Sequence, residues 1–541
     1  MRRRAISFIA CLCALILATC ARVAPPSLVG VEITPELRAI MEAGRAAALP
    51  PLHPDFREIA AGLLSALDPD DDARVAELVR LGADPGLTAY SWDRAPPSDP
   101  PFGAISREDA AEDARLLFDI MRNGYTGYGY FGGDAAFLPA LDSALARLDA
   151  MESRVQKSDF LNVLVQELGP LIADNHFLLH NVQLGALNHV PYMNDEIVMR
   201  RAEDGRLLAE IDGNACYVLG AELGDGTPVD AIMPTLTREG EIAWIFGRLM
   251  GHPNREIVAL LEDAQSGERF SRPVSLSRVE GPGQGPSPGG HSLLSAREEN
   301  GATILVNRSM FGDWPNDGGR YEAYEEFYRS GLEMRDRPVL ILDIRHHGGG
   351  YSYMAYQWIR AYAGLEPSDS AAFMEHALAS LALDALSKAL YPVDPEFSYD
   401  FERTPDWWGL YDQWAEDPDR SAQWILPDEW DGGLLPNENL VIVLVDYYVA
   451  SAGEALAGYL RQLENVLFVG TNTRGVLVTG GVVRAALPRS GLFIQLGTST
   501  LNLRPDLSPF EGVGLLPDLW VPPGESLERV LAFVERYGII R

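Results

Sequence analysis

Two short apolar runs set the tightest limit on the fold. "VLILD" (residues 339–343) and "LVIVLV" (440–445) lack polar alternation, so each reads as a strand buried on both faces. A segment with helical spacing follows each one, "YMAYQWIRAY" after the first and a run from Ser451 after the second. "ATILVNRSMF" and "VLFVGT" add strands and "GRYEAYEEFYRSGLEM" adds a helix; this alternation predicts an α/β core over residues 300–541. The Trp- and Pro-rich stretch 366–437 breaks the pattern and reads as an insertion near the site.

A chain of 541 residues, 47% hydrophobic, suggests about three units with ample core. Residues 30–100 carry helical patterns closed by glycine, "ITPELRAIMEAG" and "DDARVAELVRLG", then the linker "SWDRAPPSDPPFG". Residues 101–185 read as a helical domain on the spacing of "SREDAAEDARLLFDIMRNGY" and "DAAFLPALDSALARLDAM". Residues 186–290 read as a small β-rich module, with a strand in "GRLLAEI", a turn in "LGDGTPVDAI" and a helical stretch near Ile242 to Leu249. "GPGQGPSPGG" ends it as a flexible boundary.

Residues 1–20, "MRRRAISFIACLCALILATC", place three arginines before an apolar stretch that is short for a membrane span, which predicts an export signal. "LATC" resembles a lipoprotein cleavage box with Cys20 as the acylated residue, although Thr19 is unusual there; the alternative is ordinary secretion with cleavage near Ala21. The expected location is the periplasm or cell envelope, or secretion, with a lipid anchor at Cys20 as the only membrane attachment. Once Cys11, Cys13 and Cys20 are assigned to the signal, Cys216 has no intramolecular disulfide partner, and no cysteine metal site is available. A net charge of −33 argues against nucleic acid as a partner and fits a solvated acidic surface.

The chemistry concentrates at two strand-to-helix junctions. In "VLILDIRHHGGG" three glycines follow a buried strand, where missing Cβ atoms let backbone N–H groups approach a ligand. In "VASAGE", Ser451 stands between strand and helix, where free amides and the helix dipole can stabilise negative charge. Ser451 and Glu454 also have the spacing of a capping box, a role compatible with catalysis.

Four segments, in order, resemble the C-terminal-processing (tail-specific) serine peptidases and their relatives around the tricorn core protease: "IADNHFLLH", "LILDIRHHGGG", "VASAGE" and "FEGVGLLPDL". The resemblance implies a crotonase-like catalytic core, an N-terminal helical domain, a PDZ-like insert, a peptide or protein substrate and no cofactor. It implies Ser451 as nucleophile, with an oxyanion hole from the Ala452 N–H and one of Gly348, Gly349 and Gly350. Gly453 stands where Ser is usual, and His347 where Asn is common. Val476 occupies the place of the dyad lysine in tail-specific peptidases, and the chain's two lysines, Lys157 and Lys388, lie in the helical domain and the insertion. The tricorn-type branch uses histidine as base and glutamate as its orienter; the implied counterparts are His176 and Glu511. An imidazole can take the proton of an otherwise inert serine hydroxyl, and a carboxylate can fix its tautomer.

Other readings of these residues stand beside this one. His176 and His180, at i and i+4, have a zinc-ligand spacing, but the Glu of His-Glu-x-x-His is absent. His346 or His347 could contact substrate or replace His176 as base, Glu511 alone would be a solvated loop acid, and Asp343 with Arg345 would brace the strand end. For the whole protein, an exported serine peptidase stands against a non-catalytic ligand binder of the same fold or an esterase using the same triad.

Overall fold

The computed structural model describes residues 33–539 except 52, 57, 60–85, 91–93, 187, 252–255, 280–293, 311–318, 368–373, 381–421 and 426–432. The expected signal with Cys20, the second N-terminal helical pattern and most of the 366–437 insertion, including Lys388, lie outside the described residues.

The two apolar runs form the centre of a six-stranded sheet, ordered Leu294–Glu299, Ala302–Asn307, Val339–Asp343, Leu440–Val445, Val466–Gly470 and Leu519–Trp520. The first pair is antiparallel and the rest are parallel. Ile304, Ile341, Ile442 and Leu467 lie side by side and face one core. Their neighbours Leu305, Leu342, Val443 and Phe468 face the other, with the helices Gly319–Met334, Ser352–Ala363 and Ala452–Leu460. Burial on both faces is why these strands carry no polar alternation. Because the strands are parallel, the chain leaves Asp343 and Val445 at the same edge, and the glycine loop and the Ser451 turn emerge as neighbours.

Residues 190–278 form a nine-stranded antiparallel sheet that packs on the first core face, together with the helices Pro35–Ala48 and Ser526–Arg536. Among the described residues this module is built of strands and has no helix. The helix expected near Ile242 to Leu249 is instead the strand Ile242–Met250. Ile242 through Gly247 are all buried, and burial on both faces erases the two-residue period that would have marked a strand.

The helices Arg107–Gly124, Gly133–Asp149 and Lys157–Leu168 share a core with Val483, Ala485, Ile494 and Leu496, from the antiparallel strands Thr479–Ala486 and Phe493–Leu503. Ser106 starts the first helix by accepting the Asp109 N–H at 3.0 Å. The strand Phe493–Leu503 also pairs with Leu178–Leu179, which holds the segment just after His176 against the catalytic half of the chain. Among the described residues no helix is long and apolar enough to cross a membrane.

Candidate active site

Ser451 is held in an unusual backbone conformation, φ 54° and ψ −123°, at the start of the helix Ala452–Leu460. Such a conformation costs about 1–3 kcal/mol in a non-glycine residue and persists only where neighbours over-determine it. Here Asp446 accepts the N–H groups of His346 and Tyr448 at 2.9 and 3.0 Å, and Ala450 donates to the His347 carbonyl at 3.0 Å. The turn and the glycine loop are thereby one unit. The Ser451 N–H donates to Glu454 at 3.1 Å, the carboxylate half of a capping box, while the hydroxyl lies 3.1 Å from His176 Nε2.

Gly349, at φ 114°, packs directly on the nucleophile turn: a Cβ there would sit 3.0 Å from the Ser451 Cβ. Its N–H donates to His347 Nδ1 at 3.2 Å, so of the three glycine amides expected to serve an oxyanion hole, that of Gly349 is engaged elsewhere. The amides of Gly348, Gly350 and Ala452 donate no hydrogen bond among the described residues. The fully buried His347 ring explains Gly453, because a Cβ at 453 would fall 2.6 Å from Nδ1 and 2.8 Å from the His347 carbonyl oxygen. The two departures from the peptidase pattern are thus one packing event. Burial lowers the His347 pKa to about 4, which keeps the ring neutral as the acceptor for Gly349.

His176 reaches this turn from a distant segment. The Asp174 carboxylate accepts the His176 N–H at 2.8 Å, and its other oxygen accepts the Tyr125 and Thr479 hydroxyls at 2.8 and 2.7 Å. Burial lowers the His176 pKa, Asp174 and the Thr479 backbone oppose the shift, and Arg474 adds to it. The ring is therefore neutral at neutral pH, the state a general base requires. For Nε2 to accept the serine proton, Nδ1 must carry the ring hydrogen; Nδ1 makes no hydrogen bond of standard geometry among the described residues.

Glu511 does not hydrogen-bond to that nitrogen. One carboxylate oxygen accepts the Asn175 N–H at 2.6 Å, and the other accepts those of Leu477 and Val478 at 3.1 and 2.9 Å. It fixes the backbone of the histidine loop rather than the imidazole, and burial beside Asp174 raises its pKa well above the usual carboxyl range. Glu454 is also buried, with no cation paired to it among the described residues. It accepts from the Thr473 hydroxyl at 2.6 Å and from the Gly475 and Val476 amides at 2.7 and 2.8 Å, while burial pushes its pKa up to about 7. Val476 is buried there, and Lys157 opens a helix on the far side of the histidine loop, beside His180.

His180 turns away from His176 and accepts the Phe493 N–H on Nδ1 at 3.4 Å. Among the described residues no three His, Cys, Asp or Glu side chains converge on a metal-sized site. His346 stacks on Tyr448 with ring centres 4.8 Å apart, at the rim. Asp343 is clamped by Arg345 and Arg308 with contacts of 2.7–2.8 Å, which hold its carboxyl well below the usual range; it braces the strand end, as expected. Asp174, Tyr125 and Thr473 were not singled out from the sequence. Only the Asp two places before His176 gave a local sign.

Residues 309–521 match the sequence model of Peptidase family S41. No curated protein sequence matches the chain significantly. Among solved structures, mature CPAF is 16% identical, with TM-score 0.37 over 80% of this chain and 96% of that one. The photosystem II D1 C-terminal processing protease is 13% identical, with TM-score 0.33 over 78% of this chain and 97% of that one. The tricorn protease is 13% identical, with TM-score 0.29 over 80% of this chain and 37% of that one.

Proposed function

Since the chain carries a peptidase family S41 domain and is a serine-type peptidase that hydrolyses peptide bonds, we propose that Ser451 is its nucleophile and His176 its general base. The observation that carries this reading is the 3.1 Å approach of His176 Nε2 to the Ser451 hydroxyl, made across 275 residues of sequence. His176 takes the hydroxyl proton as Oγ attacks the scissile carbonyl, and returns it to the leaving amine. The oxyanion is met by the Ala452 N–H at the helix N-terminus and by the N–H of Gly348 or Gly350, with Gly349 held away by His347. Water then hydrolyses the acyl-enzyme, again with His176 as base.

Glu511 serves this mechanism through the backbone, by fixing the loop that carries His176. The core belongs to the crotonase-like class, and the protein acts after export, lipid-anchored at Cys20 or free. Casein and peptide-library cleavage by wild type, Ser451→Ala and His176→Ala tests the assignment. Loss of cleavage in both variants with folding intact by circular dichroism supports it, and undiminished cleavage by either one overturns it.

A further inference from the structure

Arg474 stands beside this site. Its backbone N–H donates to the Val449 carbonyl at 2.9 Å, which ties it to the nucleophile turn. Its guanidinium makes a long contact, 3.4 Å to the Gln183 side-chain oxygen, and a side-chain hydrogen bond with Tyr447, while Gln183 in turn donates to the carbonyl of Asn175, next to His176. The same positive charge is felt at His176 and at Tyr447, so the guanidinium lies between the base loop and the nucleophile strand.

Among the described residues no Asp or Glu forms an ion pair with Arg474, and its Nε is buried without a partner. Arg308 and Arg345, the other arginines near the site, are both spent on Asp343. A partly buried guanidinium with unused donors gains most from a carboxylate, which it can bind through two parallel hydrogen bonds. Exposed Arg278 adds a second positive charge near Tyr447, and it too has no ion pair among the described residues.

We propose that Arg474 is a subsite for a substrate carboxylate, supplied either by an Asp or Glu side chain near the scissile bond or by a free chain terminus. The proposal rests on Ser451 and His176 forming the hydrolytic site. It is tested with peptides on one scaffold, Glu against Gln at each flanking position and terminal acid against terminal amide, cleaved by wild type, Arg474→Gln and Arg474→Glu. Wild type is expected to favour the acid in one arm by about tenfold to hundredfold in kcat/KM. Arg474→Gln should bring that ratio near one, and Arg474→Glu should shift preference to Lys at the same position. Arg474→Lys, which keeps the charge and loses the fork, should fall between. The arm that responds identifies the source of the carboxylate. A wild-type ratio near one in both arms, or a ratio unchanged in Arg474→Gln, overturns the proposal. If Ser451 proves unreactive to a fluorophosphonate, the hydrolytic reading fails separately. Fluorescence anisotropy with the same peptide pairs then decides: at least tenfold tighter binding of the acid, lost in Arg474→Gln, supports the subsite, and equal binding overturns it.

Discussion

The turn that carries Ser451 is stitched to two neighbouring segments at the edge of a parallel sheet, the glycine loop and residues 473–476, whereas the loop that carries His176 is held by contacts reaching 305 and 336 residues along the chain. The carboxylates at the site fall into two kinds. Asp343, at the strand end, is matched by two arginines, while Glu511 under the base and Glu454 under the nucleophile are each met by backbone amides and, among the described residues, pair with no cation. The nucleophile side is therefore a preassembled strained turn. The base side is held by Asp174 and Glu511, buried carboxylates that tie its loop to segments far along the chain, so removing either one leaves amides of that loop unpaired and makes it the more fragile half.

The largest effects break either half outright. Ser451→Ala and His176→Ala should each lower kcat by about 10⁴-fold or more, measured on a cleaved peptide. Glu511→Gln separates the halves, because it removes charge from the base side alone. It should lower kcat by roughly 10²-fold with little change in KM and destabilise the fold by about 1–3 kcal/mol, read by chemical denaturation. Equal losses in kcat and in the rate of Ser451 labelling by a small phosphonate would leave no distinction between the sides.

On the nucleophile side, Gly453→Ala should cost about 1–3 kcal/mol by driving a methyl into the His347 ring. The smaller Asn in His347→Asn should recover at least about 0.5 kcal/mol of that loss, and strict additivity in the double-mutant cycle would refute the coupling. The smallest effect is in pH. The neutral imidazole is the active form and burial lowers its pKa, so kcat/KM should fall as pH drops through a midpoint below 6.5. A midpoint at or above 6.5 would point to a base other than a buried His176.

The same contrast governs how much could be read from sequence. The parallel core was legible because burial on both faces leaves uninterrupted apolar strands, and Ser451 with its glycines lies in contiguous motifs. The strand Ile242–Met250 was misread because that same two-sided burial removes its period. The role of Glu511 was only half legible: the motif marks the residue, but which donors reach it depends on Asn175, Leu477 and Val478 folding around it. The pairing of His347 with Gly453 was invisible, since two separate substitutions become one contact only when the two loops meet.

The most direct test of the account is the rate of fluorophosphonate labelling as a function of pH in wild type and His176→Ala, with the adduct located by peptide mass mapping. The adduct should fall on Ser451 alone, its rate declining below pH 6.5, and His176→Ala should slow it by about 10³-fold or more. An adduct on another residue, or a rate unaltered in His176→Ala, would contradict the pairing of these two residues.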